Sequence, residues 1–236
     1  MHANTLPTYR RDIDGLRAIA VLAVVGYHTF PDIFPGGFVG VDVFFVISGF
    51  LISTIVFGGL ADGSFSFWDF YARRIKRIFP ALILMLVVVW LAGWLFLFPN
   101  EYISLGQHLW RGGAFISNFW LWHEIGYFDV AAELKPLLHL WSLSIEEQFY
   151  LVWPVTLALL WRFPRARGAL LWAMLLGSFA LCAWATWSHP GVAFYFPAAR
   201  FWELLIGGML AYYGRKGVPV AAPILPGHGQ PSGPSA

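Results

Sequence analysis

The sequence predicts an all-α fold, a polytopic bundle of helices in a membrane, and three observations carry that prediction. Of the 236 residues 58% are apolar and only 12% are charged, about half the share that clothes a soluble domain. Mean hydropathy is +0.64 and thirteen residues are Trp. The apolar residues come in long unbroken runs, whereas the strands of a membrane β-barrel need short alternating segments. The net charge of +2 is too small to argue for a nucleic-acid partner. The single cysteine, Cys182, excludes an internal disulfide.

Six spans are expected in order: Ile13 to Phe30, Val39 to Leu60, Ala81 to Phe98, His139 to Trp161, Gly168 to Trp187 and Ala193 to Tyr213. The third and fifth contain no charge and the second only Asp42, so each can line a hydrocarbon core about 30 Å thick. The first follows Arg10 and Arg11 like a signal peptide, but Arg17 interrupts it and no small-x-small cleavage site follows, so it is read as a retained helix. Residues 1–12 form a cytoplasmic N-terminal segment in this reading, and residues 13–213 the membrane domain. Residues 214–236 are expected to be a disordered tail, because from Gly217 onward Pro and Gly dominate and no charge occurs.

Basic residues set the orientation, since loops rich in Lys and Arg stay on the cytoplasmic side. They cluster at Arg10, Arg11 and Arg17; at Arg73, Arg74, Lys76 and Arg77; at Arg162, Arg165 and Arg167; and at Arg215 and Lys216. All four clusters share one side if the chain crosses once between Phe98 and Arg162. Pro99 to Leu138 is therefore expected to be a re-entrant or interfacial segment, the polar Gln107, His108, Arg111 and Asn118 suiting it poorly to lipid. The N-terminus is then cytoplasmic.

Ionisable groups at membrane depth cost roughly 2.5 to 3.5 kcal/mol each and usually mark a functional path. Arg17 and His28 are eleven residues apart, about three helical turns, so they share a face with Asp14 one turn earlier. His28 suits a general base; alternatively it caps the outer interface while Arg17 snorkels to the inner one. Arg73, Arg74, Lys76 and Arg77 lie in the loop Tyr71 to Pro80, as a lipid-phosphate anchor or as a clamp for a phosphate-bearing cofactor. Glu146 falls on one face with His139 and Tyr150, and Glu147 points about 100° away. A metal at His139 and Glu146 is not expected, since no HExxH spacing occurs. Asp42 is a lone acid in its run, Arg200 and Glu203 form an i, i+3 pair, and Gly49, Gly58 and Gly59 allow close helix contact.

These residues resemble a known family in five ordered motifs spanning residues 9 to 213. They are Tyr9-Arg-Arg-Asp-Ile-Asp-Gly-Leu-Arg-Ala-Ile-Ala-Val with His28, then Gly37-Phe-Val-Gly-Val-Asp-Val-Phe-Phe-Val-Ile-Ser-Gly-Phe-Leu-Ile52, then Arg73-Arg-Ile-Lys-Arg-Ile-Phe-Pro80. Trp141-Ser-Leu-Ser-Ile-Glu-Glu-Gln-Phe-Tyr150 and Arg200-Phe-Trp-Glu-Leu-Leu-Ile-Gly207 complete the set. The chain is similar to the acyltransferase family 3 membrane proteins, which include bacterial O-antigen and peptidoglycan O-acetylases. The resemblance implies that an acyl group, commonly acetyl, moves from cytoplasmic acyl-CoA to a hydroxyl of an extracytoplasmic glycan such as O-antigen, exopolysaccharide or peptidoglycan. It implies that Arg17 and His28 are needed for transfer and that Arg74 and Arg77 serve the acyl-CoA donor, with Arg73 and Lys76 beside them.

The expectation is an O-acyltransferase domain of the bacterial inner membrane. His28 is its base, Arg17 orients His28, and Asp42, Glu146 and Glu147 line the internal path. No G-x-S-x-G nucleophile motif occurs, so direct transfer and an acyl-enzyme both stay open. Members of the family carry more spans than six. The chain is therefore expected to be the first part of such a domain, whose missing helices a separate chain would supply. The alternatives are a transporter or exporter, whose solute path would also use ionisable stripes, and an inactive fragment.

Overall fold

The computed structural model describes residues 10–124 and 137–215. All regular structure among them is helical: α1 (Arg11–Thr29), α2 (Gly40–Ala61), α3 (Phe67–Phe96), α4 (Pro99–Gly113), α5 (Ser117–Glu124), α6 (Leu140–Trp161), α7 (Arg167–Ser188), α8 (Pro190–Tyr195) and α9 (Pro197–Arg215). A single 3-10 turn at Gly37–Val39 leads into α2. Three helical stretches are long and apolar enough to cross a membrane, namely Gly37–Ala61, Phe67–Phe96 and Arg167–Ser188. Helices also form where the other three spans are expected, each of which holds two charged residues: Asp14 and Arg17, Glu146 and Glu147, Arg200 and Glu203.

Local chemistry sets several boundaries. Ser66 caps α3 by accepting a hydrogen bond from the Asp69 backbone N–H at 3.2 Å. Pro99 occupies the first turn of α4, where a missing N–H costs nothing, and the Glu101 carboxylate reaches back to the Phe98 N–H at 3.0 Å. The basic stretch Tyr71 to Pro80, read from sequence as a loop, is instead the second to fourth turns of the 30-residue α3. Pro80 only removes the N–H that would bond the Lys76 carbonyl, and the helix continues through it. At the C-terminus α9 runs through Gly214 and Arg215, two residues into the stretch read as tail. The rest of that tail, residues 216–236, lies outside the described residues, as do residues 1–9.

The centre of the bundle is the seam between α2 and α9. A Cβ on Gly49 would lie 1.9 Å from the Leu204 carbonyl oxygen, and one on Gly207 would lie 2.0 Å from that of Val46. Only hydrogen fits at either position, so the two backbones touch, as small residues permit between membrane helices. Asp42 pairs with Arg200, Gly49 with Leu204 and Phe57 with Tyr212, which makes α2 and α9 parallel. The pairs Phe45–Trp141, Ser48–Glu146, Ser53–Trp153 and Phe57–Trp161 make α6 parallel to both. Fully buried Trp153 donates to the buried Ser53 hydroxyl at 2.7 Å, satisfying both polar groups. α1 runs antiparallel to α2, with Gly40 against the Ala20 carbonyl and Gly37 against that of Ala23.

Between α3 and α6 the chain forms short helices of 15 and 8 residues, about 22 and 12 Å long, so neither crosses a hydrocarbon core. α4 runs back along the last third of α3, packing Leu105 on Gly93 and Gly112 near Leu86, and reaches Leu140 at the start of α6. An amide pair ties α5 to the bundle. Gln148 donates to the Asn118 side chain at 2.8 Å and to the Phe115 carbonyl at 2.7 Å, and Asn118 donates to the Tyr195 carbonyl at 3.1 Å. Phe115 takes a positive φ of 56°, uncommon outside glycine, where the chain turns from α4 into α5. The expected interfacial segment is thus helical over residues 99–113 and 117–124, while residues 125–136 lie outside the described residues.

Candidate active site

At one end of the bundle stand two imidazoles. His28, near the last turn of α1, places its ring edge-on to His139 just before α6, with centroids 4.6 Å apart. The Nδ1 of His28 lies 2.8 Å from the Val24 carbonyl oxygen. A carbonyl only accepts, so Nδ1 carries a proton and Nε2 is the nitrogen that remains to act as acceptor. The His28 side chain is exposed, which leaves Nε2 open to a reactant.

One to two turns deeper is a polar centre. The Ser48 hydroxyl of α2 donates to Glu146 of α6 at 2.8 Å, and buried Tyr150 follows one turn along α6. The Arg74 guanidinium from α3 lies over the Tyr150 ring, 4.6 Å from its centroid, within electrostatic reach of both Glu146 and Glu147. Arg17 of α1 also acts on Glu146 through its charge. Carboxylates from one helix therefore face guanidinium groups from two others. Glu147 Oε1 is buried and has no hydrogen-bond partner among the described residues.

A third constellation joins α2 to α9. Arg200 donates from Nη2 to Asp42 Oδ1 at 2.5 Å and pairs through Nη1 with Glu203 at 3.0 Å. Glu203 is fully buried, and Arg200 Nε is buried without a partner among the described residues.

The sequence-predicted residues thus separate into groups. Arg17, Arg74, Glu146 and Glu147 converge, and His28 meets His139 on the same α6 stripe. Asp42 pairs with Arg200 rather than joining Glu146. Among the four basic residues of α3 only Arg74 turns inward, while Arg73, Lys76 and Arg77 are exposed. Sequence reasoning missed the Asp42–Arg200 bridge, because its partners are 158 positions apart and no spacing rule links them. It also passed over Ser48, which reads as a small packing residue, and Asn118 with Gln148, whose partnership depends on the turn at Phe115.

Fold and site together define an integral-membrane helical bundle whose interior charges face one another rather than lipid. A family model described as an acyltransferase domain, acyltransferase family 3, matches residues 10–226, and the chain belongs to that family. It is 39% identical over 219 residues to a putative peptidoglycan O-acetyltransferase of Bacillus subtilis, covering 86% of this chain and 33% of that protein. It is 37% identical over 212 residues to the peptidoglycan O-acetyltransferase of Listeria monocytogenes, covering 86% of this chain and 34% of the other. An uncharacterised protein of Haemophilus influenzae is 40% identical over 181 residues, 73% of this chain and 74% of its own length. The chain therefore spans about a third of the two O-acetyltransferases. No solved structure matches it.

Proposed function

We propose that this chain is the catalytic membrane part of an O-acyltransferase that moves an acyl group, commonly acetyl, from acyl-CoA to a hydroxyl of an extracytoplasmic glycan. The observation that carries this reading is the state of His28. With Nδ1 donating to the Val24 carbonyl, Nε2 is the ring nitrogen left open to a reactant on an exposed imidazole. In the transfer Nε2 takes the proton of the acceptor hydroxyl as its oxygen attacks the thioester carbonyl, the C–S bond breaks, and the proton passes to the departing coenzyme A thiolate. The His139 ring limits where the His28 ring can turn.

The donor carries phosphates on its nucleotide, and exposed Arg73, Lys76 and Arg77 fit such a group, since guanidinium binds phosphate with two parallel hydrogen bonds. Arg74 serves differently, holding the internal Glu146 and Tyr150. His28 ends α1 against His139, whereas Arg74 of the basic turn lies over Tyr150, eleven residues or about 16 Å further along α6, so the base and the basic turn stand apart within reach of one extended donor. In an inner membrane the basic turn faces the cytoplasm, as does the N-terminus.

Membranes containing the protein and supplied with labelled acetyl-CoA test the reading through label appearing on glycan. His28→Ala is expected to lower transfer by about 10² to 10⁴, the usual contribution of a positioned base. Transfer unchanged in that variant would sink the assignment.

A further inference from the structure

The end of the bundle that holds His28 has a feature that general-base chemistry leaves unexplained. Short α8 projects Phe194, which remains 45% exposed although its ring lies 4.5 Å from that of buried Trp141. The Arg200 guanidinium stands 5.8 Å from the Trp141 ring centroid and 5.9 Å from that of Phe194. Asp42, bonded to that guanidinium through Oδ1, keeps 34% of its side chain exposed. A half-exposed aromatic ring is thus bordered by an accessible carboxylate and a largely buried guanidinium.

We propose that Phe194, Trp141, Asp42 and Arg200 form a sugar-binding subsite, which takes a hydroxyl-bearing pyranose of the acceptor. A pyranose has an apolar C–H face and a rim of hydroxyls, so it needs an exposed ring flanked by charged hydrogen-bonding groups. A lipid chain would satisfy the ring but not the ion pair beside it. An ion pair serving only to join α2 and α9 would not require the exposed ring. The subsite lies at the same end of the bundle as the proposed base, since His139, in ring contact with His28, precedes Trp141 by two residues. The inference rests on the acceptor being a glycan.

The test is direct binding of a β-linked N-acetylglucosamine disaccharide to the full chain, in a detergent without a sugar headgroup, measured by saturation-transfer NMR. Wild-type protein is expected to saturate the sugar protons. Phe194→Ala, at an exposed position, should keep the thermal midpoint and weaken binding by about tenfold, the scale of losing one anchoring ring. Asp42→Asn should weaken binding less. No binding by the wild type, or equal binding by wild type and Phe194→Ala, overturns the subsite. The acylation assay separates the two readings. Acyl transfer with the acceptor KM unchanged in Phe194→Ala retires the subsite and leaves the enzyme. Sugar binding that depends on Phe194, in a protein that transfers no acyl group, retires the enzyme and leaves the subsite.

Discussion

The seam between α2 and α9 and the helix α3 carry different parts of the candidate site and are held by different physics. At the seam two backbones touch through Gly49 and Gly207, and Arg200 joins Asp42 to Glu203 across it. α3 lies largely outside the bundle, with Trp90, Trp94, Leu95 and Phe96 exposed. Its ties to α6 include the Tyr71 hydroxyl donating to the Leu151 carbonyl at 2.7 Å and the Arg74–Tyr150 contact. The bundle thus holds its α2, α6 and α9 core by close packing and carries the exposed Arg73, Lys76 and Arg77 on a helix that is itself mostly exposed.

The largest effect should come from the seam. Gly207→Val or Gly49→Val places atoms inside the facing backbone and should cost about 3 kcal/mol or more, beyond the usual overpacking range, read as loss of monodisperse protein and of the thermal transition in detergent. A stable, active Gly207→Val variant would show that the seam can open. Next is Glu146→Gln, which keeps a hydrogen-bonding partner for Ser48 but removes the charge facing Arg17 and Arg74. Transfer should fall by about ten- to a hundredfold with the fold intact, since one to three kcal/mol is the scale of a charge-assisted contact. Measuring kcat alongside the thermal midpoint checks it.

Smaller effects should distinguish the residues of α3 from one another. Arg74→Ala loses a cation–π contact and should destabilise by about 0.5 to 2 kcal/mol. Arg73→Ala combined with Arg77→Ala should leave the thermal midpoint unchanged and raise KM for the acyl donor. The reverse pattern would exchange the two roles. Trp94→Ala, on the exposed face of α3, should change stability by less than about 0.5 kcal/mol. A larger loss would mean that α3 has a partner helix at that face.

Much of the fold was legible because lipid imposes long apolar runs and permits few charges. Helices form at all six expected positions, and the described residues of the intervening segment form two short helices. The basic stretch before Pro80 was misread as a loop. Its charges break the apolar run, yet Arg, Lys and Ile are adequate helix formers and nothing there stops a helix. The shared face of Glu146 and Tyr150 was legible from helical period alone.

By itself the sequence determined the class of fold, the places where helices form and the residues too polar to face lipid. These follow from the local transfer free energy of each side chain and from helical period. The tertiary structure decided which polar groups meet. That Asp42 answers Arg200 rather than Glu146, that Arg74 alone of its cluster turns inward, and that His28 meets His139 depend on how helices cross. Those crossings are set by contacts such as Gly49 on Leu204, whose partners the chain brings together only on folding.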